Sequence, residues 1–217
     1  MPALNSRPLP CTGRDPEATR QRIIDAAFQE IHRSGFQGMR LDHVLAGAGI
    51  TKGGFYHHFA SKLALGYAVI DTVIHAHVSA VWVEPLENSD QPLQALIDLI
   101  TQLGLTMDDT VISLGCPLNN LAQEMSPLDE GFRLRINRIY LIWEEALVRA
   151  LERGQRLQQV RAGINVRESA LFVLAAMEGS IGMAKNAQSV DVLMECGSGL
   201  IAYLESLAIN SAAKVME

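Results

Sequence analysis

The chain has 217 residues, 48% hydrophobic and 6% aromatic, which suffices for one or two globular domains with a substantial core. Three widely separated cysteines, Cys11, Cys116 and Cys196, argue against a disulfide framework or a clustered zinc site and fit a reducing cytoplasm. No apolar run reaches the roughly 18–20 residues of a membrane span, and no apolar segment follows Arg7 and Arg14 as in a secretory signal. We therefore expect a cytoplasmic protein without a membrane span.

The net charge of −6 argues against nucleic acid as a partner, but its distribution is uneven. Residues 1–62 hold eight Lys or Arg and five Asp or Glu, whereas residues 63–217 hold ten and nineteen. A basic head on an acidic body would orient an approach to DNA. Chance unevenness is an alternative explanation of the charge pattern taken alone.

The first 15 residues contain prolines and glycine without periodicity, which indicates a disordered arm. A basic arm could touch a DNA minor groove, while a frayed terminus is the simpler interpretation. An apolar stripe then predicts a helix over Glu17–Ser34, ended by Gly35.

The segment from Arg40 to Lys62 predicts two short helices joined by a tight turn, with a longer helix at its end. Gly49 is placed where a left-handed residue ends the first short helix. Thr51 is placed to cap the second short helix, and Ser61 to cap the long one.

The second short helix has an unusual composition, because Gly53 and Gly54 each cost about 1 kcal/mol relative to alanine in a helix. Glycines are useful where the backbone must approach a DNA groove closely. The side chains around them are donors suited to phosphate oxygens. Those donors are Thr51, Lys52, Tyr56 and His57, joined by Lys62 at the start of the long helix.

The run AGAGITKGGFYHHFASK, within Thr19 to Leu65, resembles the DNA-binding domain of TetR-type transcriptional repressors. Arg40 departs from that pattern, since threonine usually caps the helix there, and Leu63 replaces a common acidic residue. The resemblance implies an all-α fold with a three-helix helix-turn-helix domain at 16–62. It also implies a helical domain for ligand binding and dimerisation at 63–217, and release of DNA when a small molecule binds.

The predicted DNA-binding residues combine phosphate donors with residues that shape or approach the groove. They are Arg40, Thr51, Lys52, Gly53, Gly54, Tyr56, His57 and Lys62. A two-fold dimer would read a palindromic operator with half-sites about 34–36 Å apart, or a multiple of that distance.

Beyond the head, apolar periodicity predicts further helices and no strand of useful length. The predicted helices lie at 61–82, 92–105, from Pro117, 129–154, 166–186 and 190–209. Residues 84–91 and the region of Asp108 and Asp109 are predicted to be loops, and the tail to Glu217 to fray.

The last two helices are almost devoid of charge, which favours a four-helix dimer interface; a monomer core is the alternative. The residues predicted for this interface are Phe172, Ala176, Gly179, Met183, Leu193, Gly197, Leu200 and Leu204.

Polar or soft groups within the apolar helices predict a ligand cavity, although each alone could be an ordinary core or cap residue. The candidates are Cys116, Asn119, Asn120, Tyr140, Trp143, Met177 and Glu178, with His75 and Met107. Cys116 precedes a helix N-terminus, where a thiolate is favoured, so it could sense electrophiles; a buried inert thiol is the alternative. Its segment is similar to one in TetR-type repressors that answer to electrophiles, quinones or organic acids.

A helical enzyme using His75 or His77, or an interaction module without DNA binding, are the competing function classes. The sequence offers no Gly-rich phosphate loop, metal-ligand spacing or nucleophile elbow, so we assign no catalytic residue, metal or cofactor. The prediction is a homodimeric, ligand-responsive DNA-binding repressor.

Overall fold

A computed structural model describes residues 15–87 and 89–209. The predicted arm at 1–15 and the predicted frayed tail therefore lie outside the described residues, except for Asp15 at the start and the few residues before 210. Asp15 caps the first helix, because its Oδ1 accepts from the backbone N–H of Glu17 at 2.9 Å.

Ten helices account for the regular structure of the described residues, and an isolated antiparallel bridge joins Val160 to Ala208. The all-α prediction is confirmed. The helices are α1 Pro16–Gly38, α2 Leu41–Ala48, α3 Lys52–His58, α4 Lys62–Glu87, α5 Pro92–Thr106, α6 Asp109–Leu114, α7 Pro117–Met125, α8 Glu130–Arg156, α9 Val166–Ala187 and α10 Val190–Leu207.

Gly35 interrupts α1 at the position where the sequence predicts the first helix to end. Its φ of +75° and ψ of 167° are not helical, and one further helical turn follows it to Gly38. A left-handed φ is what glycine tolerates without a steric cost. The kink turns the chain toward α2.

The helix α4 is longer than predicted, because it continues past Trp82 to Glu87 through half of the expected loop at 84–91. It contains two π-helical segments, Ile70–Ile74 and Ser79–Val83. By length and composition this helix could cross a membrane. Its apolar side is nevertheless buried in the protein core, as in a core helix of a globular protein. The buried residues on that side include Leu65, Val69, Ile70, Ile74, Val78 and Trp82.

The predicted loop around Asp108 and Asp109 also contains a helix. Asp108 is its N-cap, since the carboxylate accepts from the Val111 N–H at 2.9 Å, and Ile112 is buried below it. A side-chain cap and one buried residue therefore suffice for the short helix α6.

The long helix α8 forms the centre of the second domain. Its buried side packs against α4, α5, α7 and α9. The residues on that side are Phe132, Ile136, Ile139, Trp143, Leu147, Ala150 and Leu151. The helices α9 and α10 pack on one another as an antiparallel pair at the edge of this core.

Candidate DNA-binding surface and ligand cavity

The turn between α2 and α3 has the local geometry that the sequence predicts. Gly49 ends α2 in the left-handed region at φ +64°, and Thr51 Oγ1 accepts from the Gly54 N–H at 3.2 Å. Phe55 and Phe59 anchor α3 in the core, which leaves the opposite face of the helix free. That face presents Thr51, Lys52, Gly53, Tyr56 and His57, all exposed.

The two glycines of α3 are not required by packing within the protomer. A Cβ at Gly53 would come no closer than 4.0 Å to any neighbour, and at Gly54 the nearest contact would be Thr51 Oγ1 at 3.5 Å. Space for a methyl group is therefore present at both positions. Their small size leaves the backbone of α3 open to a close approach from outside.

Arg40 is exposed and precedes α2, but its side chain makes no cap hydrogen bond. A buried carboxylate of α1 binds groups at the start of α2 instead. Glu30 Oε1 accepts from the Arg40 N–H at 3.4 Å and pairs with His43 Nδ1 at 2.9 Å. Burial acts to raise the pKa of Glu30, but the His43 and Arg40 contacts outweigh it and the pKa is lowered. The sequence does not indicate this role of Glu30, since nothing local in α1 identifies its partners.

Lys62 is engaged within the protein, and its contact with phosphate stays a prediction. Its ammonium donates to the carbonyl oxygens of Gln37 at 3.1 Å and Met39 at 2.7 Å. Ser61 caps α4 as predicted, by accepting from the Ala64 N–H at 3.0 Å. Lys62 thus ties the start of α4 to the turn before α2, and its positive charge is already partly satisfied.

A cavity of about 490 Å³ lies where the second domain meets α1. The head contributes Phe28 and His32 of α1 to its wall, opposite Leu118 of α7 and Ile181 of α9. Apolar side chains dominate the lining, as in small-molecule sites. The cavity therefore has one wall that belongs to the DNA-binding head.

Two tryptophans, the full complement of the chain, form another side of the cavity. The rings of Trp82 and Trp143 stack with centroids 5.0 Å apart and planes 22° apart. Trp143 is buried and its indole Nε1 has no hydrogen-bond partner within the described part of the chain. Stacked aromatic rings of this kind offer a flat apolar surface to a ligand.

His32 connects α1 to the corner before α7. Its Nε2 lies 2.8 Å from the carbonyl oxygen of Gly115, so this nitrogen carries the proton and donates. Burial lowers the pKa of His32, although the contact with the Gly115 carbonyl opposes that effect. The imidazole is therefore uncharged at neutral pH.

Cys116 lines the cavity, and its thiol has the properties of the buried inert alternative. Burial and the nearby Glu178 carboxylate raise the pKa of the thiol far above its ordinary value, outweighing the N–H groups of α7. The S–H donates to Glu178 Oε1 at 3.3 Å. Burial likewise raises the pKa of Glu178 to about 7. A thiolate at Cys116 is thus disfavoured, because a low-polarity site beside a carboxylate penalises a second negative charge.

The other predicted ligand residues divide into cavity and non-cavity positions. Trp143 and Met107 line the cavity with Cys116. Met177 lines a separate apolar groove of about 270 Å³ between α5, α9 and α10. Those outside the cavity lining are Asn119, Asn120, Tyr140, Met177, Glu178 and His75.

Asn120 has a structural role instead. It donates to the Leu114 carbonyl at 2.7 Å and accepts from Lys185 Nζ at 2.9 Å, which fastens α6 and α9 to α7. Asn119 Oδ1 accepts from Gln123 on the surface of α7. Phe28, His32, Trp82 and His77, by contrast, line the cavity without having been predicted, because their apolar or aromatic character is common in core helices.

The predicted dimer residues fall into three groups by exposure. Phe172, Gly179 and Met183 are exposed on α9, while Ala176 and Gly197 are half-buried. The other three, Leu193, Leu200 and Leu204, are buried in the core of the protomer, so they cannot form an interface surface. The reason is the register of α10, which directs this stripe toward α5 and α9.

Among residues 15–87 and 89–209, no group of three or more His, Cys, Asp or Glu side chains could hold a metal ion.

Models of two known protein domains match this chain. The family described as bacterial regulatory proteins, tetR family, matches residues 23–69, and the tetracyclin repressor-like C-terminal domain matches residues 92–195.

Curated relatives include transcriptional regulators. An uncharacterized HTH-type transcriptional regulator of Lactococcus lactis is 28% identical over 183 residues, covering 81% of this chain and 87% of that protein. The HTH-type transcriptional repressor DhaR of a Mycobacterium species is 26% identical over 162 residues, covering 75% and 80%.

Solved structures share the fold. A TetR-family regulator from Cytophaga hutchinsonii superposes with a TM-score of 0.82 at 22% identity, covering 90% of this chain and 98% of that one. A TetR regulator from Chloroflexus aurantiacus has a TM-score of 0.77 at 23% identity, with coverage of 89% and 97%. Both domains of the chain thus match one family of DNA-binding proteins that are not enzymes. The chain belongs to the TetR family of transcriptional regulators.

Proposed function

We propose that this regulator is a homodimeric repressor that leaves its palindromic operator when a small molecule occupies the cavity beside α1. The observation that carries the proposal is that the head and the second domain both line the cavity. Phe28 and His32 in its wall belong to the first helix of the head. A ligand in the cavity contacts the head and the second domain together. The relative named as a repressor, DhaR, supports the direction of regulation.

The DNA contacts are assigned to the exposed face of α3. Lys52, Tyr56 and His57 donate to phosphate oxygens, and Thr51 contributes its hydroxyl or N–H at the helix start. Gly53 and Gly54 admit the sugar-phosphate wall, and Arg40 reaches the backbone from the start of α2. Lys62 is left out of this set, since its ammonium is held by two carbonyl groups.

Dimerisation is assigned to the exposed side of α9 and α10. Phe172 is 52% exposed and Met183 60%, and Gly179 between them lets a partner helix approach. Phe172 and Met183 lie about three helical turns apart on one face of α9, and exposed apolar side chains of this size are typical of association surfaces. An isologous contact here gives the two-fold symmetry that a palindromic operator requires.

The inducer is assigned as a reversibly bound, largely apolar molecule. The cavity is lined by tryptophan, phenylalanine and aliphatic side chains, and the protonated Cys116 thiol is a poor nucleophile. Reversible occupancy therefore suits the site better than modification by an electrophile. The protein works on DNA in the cytoplasm.

The proposal is tested by selecting bound sequences from random DNA and measuring affinity against salt concentration. We expect a palindromic site whose affinity falls steeply with salt, because phosphate contacts release counterions. The uncharged fluorescent probe N-phenyl-1-naphthylamine should bind with quenching of the two tryptophans and should weaken operator binding. A protein that selects no sequence would instead be an interaction module, and a probe that binds without changing operator affinity would contradict cavity-controlled repression.

A further inference from the structure

The short helix α7 connects the cavity to the DNA-binding head. Leu118, in its first turn, and the preceding Cys116 form part of the cavity wall. Glu124, near its other end, lies outside that wall and contacts the head. One rigid element of nine residues therefore has its two ends at the two places that regulation must join.

The contact at the head end uses both carboxylate oxygens of Glu124. Oε2 accepts from the backbone N–H of Phe36 at 2.8 Å, and Oε1 accepts from that of Gln37 at 2.8 Å. Such charge-assisted pairs are short and directional. They fix the turn that leads from the kink of α1 into α2.

The kink itself is shaped to receive this carboxylate. Gly35 has φ +75°, and a Cβ placed there would lie 2.9 Å from each oxygen of Glu124. A side chain at position 35 would therefore displace the carboxylate as well as strain the backbone. The glycine permits the close approach of α7 to α1.

The turn at residues 36–39 is held by contacts on several sides, so it cannot shift without moving its neighbours. Lys62 holds the carbonyls of Gln37 and Met39, and the Phe36 ring packs on Phe132 with centroids 4.6 Å apart. A Cβ at Gly66 of α4 would meet Phe36 Cε2 at 2.5 Å, so ring and helix are in tight contact. A shift of residues 36–39 thus passes to α4 and to the start of α2, because packed interiors transmit displacement.

We infer that Glu124 is the positioning residue that transmits the state of the cavity to the head, through the backbone N–H groups of Phe36 and Gln37. A ligand that displaces Leu118 moves α7, and Glu124 carries the α1–α2 turn with it. This inference rests on the proposed ligand-controlled DNA binding. By linkage the coupling runs both ways, so operator binding must alter the cavity.

That reciprocity allows a test without the natural ligand. Wild type, Glu124→Gln and the control Glu130→Gln, an exposed carboxylate on α8, are compared with and without the selected operator. Backbone hydrogen exchange is followed across 35–39 and 115–125, and the emission of Trp82 and Trp143 reports on the cavity. In the free Glu124→Gln protein, the amides of Phe36 and Gln37 should exchange about tenfold faster, because the charged acceptor is lost.

We expect operator binding to slow exchange in α7 and change tryptophan emission in wild type and Glu130→Gln. Glu124→Gln should still bind the operator, with these cavity responses reduced at least threefold. An undiminished response in Glu124→Gln would overturn the inference and leave Glu124 a merely structural contact. If Glu124→Gln fails to fold, the wild-type measurement alone tests the coupling. Operator binding without any change of hydrogen exchange in 35–39 and α7 would exclude it. Failure of wild type to bind any DNA would instead refute the proposed function itself.

Discussion

The Cys116 thiol donates to the Glu178 carboxylate across 3.3 Å, which joins the start of α7 to the middle of α9 beside the cavity. Glu178 is buried and Cys116 is half-buried, and the pKa of each group is raised, which favours the protonated form. The pair therefore behaves as a neutral hydrogen-bonded contact near pH 6.

Alkylation of Cys116 in the native protein should be slow. At pH 8 we expect iodoacetamide to modify it at least about a hundredfold more slowly than in the urea-unfolded chain, because the thiolate is the nucleophile and burial suppresses it. Peptide mass spectrometry over time gives both rates for the same residue. Equal rates in the two states would show an accessible, activated thiol and revive the electrophile-sensor hypothesis.

Glu178 should make stability depend on pH. Its folded pKa of about 7 exceeds the ordinary 4.5, so its contribution is fully present below pH 4.5 and is lost as pH rises through 7. Relative to Glu178→Gln, wild type should lose up to about 3 kcal/mol of unfolding free energy between pH 5 and 8. Urea titrations at several pH values measure this difference. Glu195→Gln, an exposed position on α10, is the control, and a similar pH profile for both variants would refute the assignment.

Replacing Gly53 by alanine should raise the stability of the protein and weaken its binding to DNA. The helix gains up to about 1 kcal/mol, since alanine is the better helix former and a Cβ there meets no close neighbour. Operator affinity should nevertheless fall at least tenfold, because the added methyl group obstructs the sugar-phosphate wall. Thermal denaturation and mobility shift measure the two effects. A more stable variant with unchanged affinity would remove Gly53 from the DNA interface.

Lys52 and Lys62 should differ in their response to the same substitution. Lys52→Met should weaken binding to all sequences and reduce the slope of log affinity against log salt by about one unit, as expected for a lost phosphate contact. Lys62→Met should leave that slope unchanged and destabilise the head by about 1 kcal/mol, since two carbonyl acceptors lose their donor. A lower salt slope for Lys62→Met would restore its predicted phosphate role.

Association should depend on the exposed face of α9. Met183→Glu places a charge on the proposed interface, whereas Leu134→Glu places one on α8 at a comparably exposed apolar position. The exposed fraction is 60% for Met183 and 53% for Leu134. Light scattering at micromolar concentration should give a dimer for wild type and for Leu134→Glu, and a monomer for Met183→Glu. A dimer that persists in Met183→Glu but dissociates in Leu134→Glu would move the interface to α8.

The sequence alone predicted the helix-turn-helix, because its determinants are local. Gly49 and the caps Thr51 and Ser61 act within four residues of themselves, so their hydrogen bonds can be anticipated from spacing. The exposure of Lys52 and Tyr56 follows from the burial of Phe55 and Phe59 on the other side of α3. The helix count fell short only where the cap Asp108 was interpreted as part of a loop.

Long-range contacts were decided by the tertiary structure. No spacing rule links Glu124 to Phe36 or Lys62 to Met39, because these partners are separated by 88 and 23 residues and meet only when α1, α4 and α7 pack. On α10, apolar residues occupy nearly every side, so periodicity could not distinguish the core-facing Leu200 from the exposed surface. The choice between an activated and an inert Cys116 thiol was also left to the tertiary structure, since the pKa depends on burial and on a carboxylate that α9 brings to it.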